Sequence, residues 1–369
     1  MASGLTPAIH EGSIDRLLGS VVIDRGLREV LLVTDPGVTA AGHSARARRS
    51  LEAAGVSVRV YDKVQSNPTN RDAQACAAAA QGVDGFVAVG GGSCIDTAKG
   101  GSFIVTNGGS MADYQGFGHA KEPLLPIVAV PTTAGTGSEV QSYTLISDDE
   151  THTKMACGAM GAMPVATVLD AELTVTMSRQ QTAYTGLDAI VHAVESAVCN
   201  TRTDASTALA FEAFALLATH LLVVLENPQN LEARTRMLRG SMLAGRAIEA
   251  SMLGAAHASA NPLTARFGVP HGVAVATMLP HVIRFNSDDP NVAKIYTDLA
   301  AQVGRDTLDK QIEILMDHAQ IESLETFGVQ SDTIDELAKE ASLQWTGQFN
   351  PRPVDTTAFA VLYRQVLSR

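Results

Sequence analysis

The spacing of hydrophobic and polar positions changes along the chain and divides it into two parts. In the first part, short runs of apolar and β-branched residues alternate with segments of helical periodicity. The apolar runs occupy residues 30–35, 56–62, 85–93, 125–133 and 165–170, and the helical segments include residues 38–54 and 71–82. Strands that alternate with helices predict a parallel sheet covered by helices on both faces.

From about residue 182 onwards, the apolar positions recur almost only with helical periodicity. Clear examples are residues 205–226, 231–254 and 332–345. The pattern therefore predicts an α/β domain over residues 1–179 and an all-α domain over residues 180–369. Two domains agree with the length of 369 residues, which exceeds what one hydrophobic core commonly holds.

The composition argues against several classes of partner. Hydrophobic residues make up 46% of the chain, charged residues make up 18%, and the formal net charge is −12. Nucleic acids and anionic lipids bind to basic patches, which an acidic chain is poorly suited to supply. Four well-separated cysteines without a CxxC pair indicate reduced thiols, and neither a signal peptide nor an unbroken run of about 20 apolar residues is found. We therefore expect a cytoplasmic protein with no nucleic-acid or membrane partner.

The segment TGLDAIVHAVES, residues 185–196, places an aspartate and a histidine among apolar residues. Asp188 and His192 are four residues apart, so on a helix they lie on one face and could hold one cation. The alternative is an aspartate at the start of a helix beside a buried core histidine.

A second pair of histidines lies downstream. His257 and His271 are too far apart for one helical turn, but a helix broken at Pro262 and a loop over residues 266–272 could bring both to one point. Together with Asp188 and His192 they give three imidazoles and one carboxylate, a ligand set that suits Fe²⁺ or Zn²⁺.

Two glycine-rich segments follow predicted strands in the first part of the chain. GGGSCIDTAKG, residues 90–100, ends a buried strand and opens a helix, so its backbone N–H groups and helix dipole favour a phosphate. The alternative is a tight turn capped by Ser93. PTTAGTGSE, residues 131–139, is a second loop that suits hydroxyl and amide contacts with a dinucleotide. Two such loops at the same edge of a parallel sheet favour a nucleotide site.

Asp35 ends the first predicted strand of this part. A carboxylate there can accept hydrogen bonds from an adenosine ribose and would repel a 2′-phosphate, which favours NAD over NADP. The alternative is a turn aspartate that precedes Pro36.

Four motifs, in this order and spacing, resemble the iron-containing (group III) alcohol dehydrogenase family. They are GGGSCIDTAKG, PTTAGTGSE, GLDAIVHAVES and PHGVAVATMLPH, and the C-terminal FNPRP, residues 349–353, fits as well. The resemblance implies a Rossmann-like N-terminal domain that binds the dinucleotide, a helical C-terminal domain that binds the metal, and an active site in the cleft between them. It also implies NAD(H), one divalent metal with Fe²⁺ favoured over Zn²⁺, and a homodimer or larger homo-oligomer.

The resemblance also assigns residues. The metal ligands of the family correspond to Asp188, His192, His257 and His271. The predicted cofactor contacts are Asp35, Gly90, Gly91, Gly92, Ser93, Asp96, Thr132, Thr133 and Lys154. Nearness to the motifs in the sequence, rather than the resemblance, suggests the substrate contacts. They are Tyr143, Leu253, Asn261 and Arg266, with Gln141, Met155 and Cys157 as further pocket candidates.

The implied activity is hydride transfer between a small alcohol or aldehyde and the nicotinamide, with the metal as Lewis acid. If Arg266 points into the pocket, it could bind a carboxylate or phosphonate on the substrate, and otherwise it is solvated. A maleylacetate reductase or another reductase of acidic substrates is the nearest alternative, and glycerol dehydrogenase and dehydroquinate synthase share the architecture. A sensor that binds NAD and metal without turnover is the non-enzyme alternative.

One position departs from the family pattern. Many members have a second histidine four residues after the third ligand, and here that residue is Asn261. An amide does not titrate near neutral pH and cannot be a general base. The resemblance therefore leaves the route of the proton open.

Overall fold

The computed structural model describes residues 6–150 and 153–367, which fall into two units, Met1–Thr176 and Met177–Arg369. The first unit is α/β with a parallel sheet and the second is helical, which confirms the predicted fold class. The boundary between the units lies at residue 176, where the sequence pattern put it at 179.

The first unit contains two sheets. Its strands are β1 (Ala8–Glu11), β2 (Glu29–Val33), β3 (Ser57–Tyr61), β4 (Gly85–Gly90), β5 (Gly116–Phe117), β6 (Ile127–Pro131), β7 (Tyr143–Ser147), β8 (Lys154–Gly158) and β9 (Ala166–Leu169). Six of them form the main sheet in the order β1-β9-β6-β4-β2-β3, and each pairing between these strands is parallel. The smaller sheet has the order β5-β8-β7.

Helices connect the strands of the main sheet. They are α1 (Ile14–Asp24), α2 (Pro36–Ala40), α3 (His43–Ala53), α4 (Asn70–Ala79) and α5 (Gly92–Asn107). The single helix that the pattern predicts over residues 38–54 is therefore wrong, because the structure has two. Gly42 separates them with a φ of +82°, a left-handed conformation that glycine adopts without steric cost.

The residues of the central strands alternate between two hydrophobic cores, as the strand period of two requires. Val87 and Val89 of β4 pack on one face together with Leu18 of α1 and Leu51 of α3. Phe86 and Ala88 of β4 pack on the other face, with Cys76 of α4 and Ile95 of α5. Because helices cover both faces, these strands appear in the sequence as continuous apolar runs.

Five predicted strands coincide with β2, β3, β4, β6 and β9 to within a few residues. The pattern missed β1 and the three strands of the smaller sheet. β1 lies at the edge of the main sheet and β5 has two residues, so neither gives a clear apolar run.

The second unit consists of helices and short 3₁₀ turns in its described part. The helices are α6 (Arg179–Val198), α7 (Asp204–Glu226), α8 (Leu231–Glu249), α9 (Ala255–Phe267), α10 (His271–Asn286), α11 (Pro290–Gln302), α12 (Leu308–Ala319), α13 (Ile334–Ser342) and α14 (Thr356–Leu367).

Glycines bring α6, α7 and α8 close together. A Cβ on Gly186 of α6 would lie 2.6 Å from Leu221 Cδ1 of α7, and a Cβ on Gly240 of α8 would lie 2.8 Å from Leu217 Cγ of α7. Both separations are shorter than van der Waals contact, so a side chain at either position would have to displace Leu221 or Leu217. Gly186 thus lets Leu221 of α7 pack directly on α6 two residues before Asp188.

Among the described residues, α7 alone is long and apolar enough to cross a membrane, with a mean hydropathy of 2.1 over its most apolar window. The structure buries 44% of that window. Leu217 and Leu221 pack against α8 and α6, which is the behaviour of a core helix. Length and composition are therefore weak evidence for a membrane span here.

Candidate metal centre and nucleotide loops

α6 carries the first two candidate metal ligands. The helix begins after Ser178, whose hydroxyl accepts a hydrogen bond from the backbone N–H of Gln181. Asp188 and His192 lie one turn apart on a face that the structure buries, with 7% and 5% of their surface exposed. The helical spacing predicted from the sequence is therefore present.

α9 and α10 carry the other two candidates. The expected helix break at Pro262 is wrong, because Pro262 lies buried inside α9, which continues to Phe267. The chain instead turns at Gly268, which has a φ of +65°, and α10 begins directly at His271. A Cβ on Gly272 would overlap the backbone carbonyl of Tyr184, so this glycine allows α10 to approach α6.

The three histidines converge on one carboxylate oxygen. The Nε2 atoms of His192, His257 and His271 lie 3.4, 3.5 and 3.8 Å from Asp188 Oδ1. Ligand atoms around a tetrahedral ion bound at roughly 2.1 Å are about 3.4 Å apart, which the separations of His192 and His257 from Asp188 match. The ligand atoms of Asp188, His192 and His257 all lie within 4.8 Å of one another, and His271 lies outside that group. Asp188 Oδ1 and His257 Nε2 are buried and make no hydrogen bond to the described residues. Two buried polar atoms without partners are the arrangement that a bound metal satisfies.

The charges of these groups are strongly coupled. Burial opposes ionisation of Asp188, but the facing His192, His257 and His271 outweigh it and lower the pKa of Asp188. Burial likewise opposes protonation of His257, but the carboxylates of Glu195 and Asp188 outweigh it and raise the pKa of His257 to about 9. An anionic Asp188 with three imidazoles around it is a competent site for a divalent cation.

Sequence reasoning missed Glu195, which contacts His257 through the ring nitrogen that faces away from Asp188. It lies three residues after His192 and seven after Asp188, on the same face of α6. A third ionisable residue at this helical spacing, in an otherwise apolar helix, was the sequence signal that could have identified Glu195.

The first glycine-rich segment forms the predicted strand-to-helix turn. β4 ends at Gly90, and Gly91 is the N-cap of α5, so the alternative of a turn capped by Ser93 does not hold. Gly91 offers no side-chain acceptor to the first helical turn, although its carbonyl accepts from the N–H of Cys94 at 3.0 Å. The N–H groups at the very start of α5 are suited to an anionic ligand.

The structure brings the two glycine-rich loops into contact. A Cβ on Gly91 would lie 3.3 Å from Thr133 Cγ2, and a Cβ on Gly92 would lie 2.7 Å from Thr136 Cγ2. The backbone N–H of Thr132 also donates to the carbonyl of Gly90 at 3.0 Å. These glycines are therefore needed for packing between the loops, and the two loops form one surface.

Asp96 and Lys99 of α5 tie the second loop to the first. Asp96 Oδ1 accepts from the Ser138 hydroxyl at 2.6 Å, and the buried Lys99 ammonium donates to the carbonyl and hydroxyl oxygens of Ser138 at 2.8 and 3.0 Å. Burial raises the pKa of Asp96. The carboxylate of Asp96 thus holds the second loop, and its contact with the cofactor stays a prediction.

Asp35 follows β2 and is the N-cap of α2. Its Oδ1 accepts from the backbone N–H of Val38 at 2.8 Å, and its Oδ2 accepts from the Cys94 thiol at 3.3 Å. Asp35 therefore has the structural role at the turn before Pro36 that the sequence analysis gives as the alternative. A carboxylate oxygen can accept more than one hydrogen bond, so a ribose contact remains compatible with it.

The smaller sheet carries the pocket candidates of the first unit. Tyr143 of β7 is half-buried with its ring 5.4 Å from that of Phe117, and Lys154 begins β8. Met155 and Cys157 point instead into a core that also contains Phe103. We therefore withdraw Met155 and Cys157 as pocket residues, because strand alternation turns them away from the face of Lys154.

The remaining candidates lie on or before α9. Leu253 precedes the helix and is half-buried. The side-chain amide of Asn261 donates to Gln344 Oε1 at 3.0 Å. Arg266 forms ion pairs with Glu336 at 2.5 Å and Glu340 at 3.4 Å. Its charge is already paired within the helical unit, which favours the outward position of the two that the sequence left open for Arg266.

Comparison with known proteins assigns the family. Residues 8–171 match the model of iron-containing alcohol dehydrogenase, and residues 182–367 match the C-terminal model of the Fe-containing alcohol dehydrogenase family. The chain belongs to the iron-containing alcohol dehydrogenase family. Its similarity to that family extends over both units.

Individual relatives agree with this assignment. Alcohol dehydrogenase 4 of Schizosaccharomyces pombe is 34% identical over 88% of this chain and 79% of its own length. The 1,3-propanediol dehydrogenase of Klebsiella pneumoniae is 34% identical over 92% of each chain. The solved structure of an alcohol dehydrogenase from Oenococcus oeni has a TM-score of 0.94 at 29% identity and covers 99% of this chain and 100% of its own.

Proposed function

We propose that the protein is a metal-dependent, NAD(H)-linked alcohol dehydrogenase that interconverts a small alcohol and its aldehyde. The observation that carries the proposal is the convergence of three imidazole Nε2 atoms on the buried Asp188 Oδ1 in a chain of this family. A reaction of this class needs a metal centre, a dinucleotide site and a place for the alcohol.

The metal centre comprises Asp188, His192, His257 and His271. One carboxylate and three imidazoles favour Fe²⁺, with Zn²⁺ as the second choice. The bound metal supplies Lewis-acid polarisation of the carbon–oxygen bond of the substrate. His271 has the most exposed side chain of the four at 28%, so the open side of the centre lies next to it.

The dinucleotide site comprises the two glycine-rich loops. The first helical turn of α5, with Gly90, Gly91, Gly92 and Ser93, is proposed to bind the pyrophosphate, with Thr132 and Thr133 beside it. Asp35 supports NAD over NADP because its carboxylate would repel a 2′-phosphate. Lys154 is proposed to lie near the cofactor. Hydride transfer then requires the nicotinamide ring to lie against the carbon of the substrate alcohol.

The substrate is proposed to be a small uncharged alcohol or aldehyde, with Tyr143, Leu253 and Asn261 among its contacts. A reductase of acidic substrates would need a cationic side chain in the pocket, and Arg266 is already paired with Glu336 and Glu340. Asn261 cannot take up the proton of the alcohol. We propose that the proton leaves through water or the ribose hydroxyls.

The acidic charge and the four buried free cysteines support a cytoplasmic location. We propose a homodimer or larger homo-oligomer, which light scattering of the purified protein can test.

Replacing His271 by alanine tests the proposed function. The variant is expected to lose tight metal binding and NADH-dependent reduction of short aldehydes at least a hundredfold, because one of four ligands is removed. NADH binding should change little, since the proposed loops lie in the other unit. Metal content, turnover and NADH fluorescence are the measurements.

His318→Ala is the matched control, because His318 is an exposed histidine of the same unit whose Nδ1 contacts the backbone of Ile314. Its metal content, turnover and NADH binding should equal those of the parent. Turnover of His271→Ala at the parental rate in the presence of a chelator would remove the metal from the proposal. A parent that binds metal and NADH without turnover would support the sensor instead.

A further inference from the structure

Glu195 makes two contacts with the start of α9. Its Oε2 lies 2.5 Å from Nδ1 of His257, and its Oε1 accepts from the backbone N–H of Ala256 at 2.6 Å. Only 3% of Glu195 is exposed. One buried carboxylate therefore contacts both the ring of a candidate metal ligand and the backbone next to it.

The start of α9 depends on side chains from elsewhere in the chain. Its N-cap is Gly254, which offers no side-chain acceptor. Asn350 Oδ1 accepts from the N–H of Ala255 at 3.3 Å, and Glu195 accepts from that of Ala256. A carboxylate near the first turn also interacts favourably with the helix dipole. These two side chains replace the missing cap.

Gly254 is what allows both side chains to approach. A Cβ there would lie 3.1 Å from Glu195 Oε1 and 3.2 Å from Asn350 Oδ1. Asn350 is in turn held by a reciprocal pair of hydrogen bonds with Asn286, at 3.0 and 2.8 Å. Asn350 belongs to the FNPRP segment, which therefore anchors the start of α9, the helix that carries His257.

We propose that Glu195 is a positioning residue that keeps the proton of His257 on Nδ1, so that Nε2 is the atom that binds the metal. The inference rests on the proposed function, because it assigns a role toward the same metal centre. A carboxylate accepts and cannot donate when ionised, so the ring nitrogen that faces it must carry the proton. In the neutral ring that a metal binds, the other nitrogen, Nε2, then carries the lone pair, and it lies 3.5 Å from Asp188 Oδ1.

Glu195→Gln separates this role from packing, because glutamine has the same size. Its side chain offers one acceptor and one donor group. If the oxygen accepts from Ala256, the amide NH₂ faces Nδ1 and forces the proton of His257 onto Nε2. If the amide is flipped, two donors meet at Ala256. Either arrangement weakens the site, and metal affinity is expected to fall by about 10–100-fold.

Competition of Zn²⁺ and Co²⁺ with a chromophoric chelator measures that affinity in the full-length protein. Asn350→Ala is the matched comparison, because it removes the contact with Ala255 without touching the ring of His257. It should lower the melting temperature and change metal affinity by less than threefold. Equal affinity losses in the two variants, or a Glu195→Gln protein that binds both metals within twofold of the parent, would overturn the proposal.

A measurement on the parent needs no variant and covers the case that Glu195→Gln does not fold. In the Co²⁺-loaded parent, the Nδ1 protons of Nε2-bound histidines give paramagnetically shifted NMR signals that disappear in D₂O. The contact with buried Glu195 should make one of these signals exchange markedly more slowly than the others. Rapid loss of every shifted signal would overturn the proposal. A parent that binds no Co²⁺ or Zn²⁺ at all would instead contradict the proposed function.

Discussion

At the scale of single residues, Glu139 shows how a buried charge escapes pattern analysis. Its side chain is 1% exposed, and its Oε1 has no hydrogen-bond partner among the described residues. Burial raises the pKa of Glu139 from 4.5 to about 7, although its own backbone N–H and Lys99 act in the opposite direction. In the sequence, Glu139 is simply the last residue of a loop motif.

This pKa predicts a pH-dependent difference between the parent and Glu139→Gln. Between pH 4.5 and 7 the folded parent keeps a proton that the unfolded chain releases, so parental stability falls as the pH rises through this window. Each pKa unit corresponds to about 1.4 kcal/mol, so the loss is on the order of 3 kcal/mol. Glutamine does not titrate, and the stability of the variant relative to the parent should therefore increase from pH 5 to pH 8.

Thermal unfolding of both proteins at several pH values measures this difference. Replacing the exposed Glu122 by glutamine is the control, and the melting curve of that variant should follow that of the parent. Parallel pH profiles for Glu139→Gln and the parent would contradict the assignment.

The sequence predicted single residues best where spacing alone defines them. Asp188 and His192 are one helical turn apart, so the spacing alone predicts that they share a face of α6, while the cation that they would share stays a proposal. Glu195, in contrast, matters because of a partner 62 residues away, which no local pattern contains. Arg266 could not be placed either, since its acidic partners lie on a different helix.

At the scale of elements, one residue has two roles at the start of α2. Asp35 caps this five-residue helix by accepting from Val38, and the same carboxylate is the proposed discriminator against NADP. A change at Asp35 therefore has two effects that must be separated.

Asp35→Asn and Asp35→Ala separate them. Asparagine caps a helix as well as aspartate but carries no charge, so it should raise the ratio of kcat/KM for NADP to that for NAD at least tenfold without loss of stability. Alanine should change the ratio similarly and also cost about 1 kcal/mol of folding free energy. Steady-state kinetics and thermal melts measure the two effects.

Asp289→Asn is a suitable control because Asp289 caps α11 in the other unit through Asn291 and Val292. Its cofactor ratio should equal that of the parent. An unchanged ratio in Asp35→Asn would assign Asp35 to helix capping alone.

Helix and strand types were predictable from periodicity, whereas their ends were not. The break in residues 38–54 depends on the left-handed conformation of Gly42, and α9 continues through Pro262 although proline commonly ends a helix. An interior proline costs a helix about 3 kcal/mol through the lost hydrogen bond and the clash of its ring with the preceding turn, and the packing of the buried Pro262 offsets that cost. Tertiary packing determines where these helices begin and end, and contacts between distant residues cannot be read from the local sequence.

At the scale of the whole molecule, the two proposed ligands belong to different units. The candidate metal ligands all lie after residue 177, and the glycine-rich loops all lie before residue 176. Each ligand should therefore stabilise its own unit first. A ligand present at a hundred times its Kd adds about 2.7 kcal/mol to the state that binds it.

Hydrogen exchange of the full-length protein, followed by mass spectrometry, measures this division. Saturating Zn²⁺ should slow exchange in peptides from α6 and from the first turns of α9 and α10. NADH should slow exchange in peptides that cover residues 90–97 and 131–139. An NADH effect that is absent from both loops would contradict the proposed cofactor site.

The pairing of β1 with β9 determines when the first unit can be completed during synthesis. β9 lies between β1 and β6, with Ala8 opposite Ala166, so the first strand to leave the ribosome has no neighbour until the last strand of the sheet follows. At about 5–20 residues per second, that delay is roughly 8–30 seconds. Once β6 has been translated, its wholly apolar edge stays open until β9 follows, and such an edge recruits chaperones or pairs with another nascent chain. The rate at which ribosomes translate residues 132–169 therefore sets how long each new molecule is exposed to aggregation.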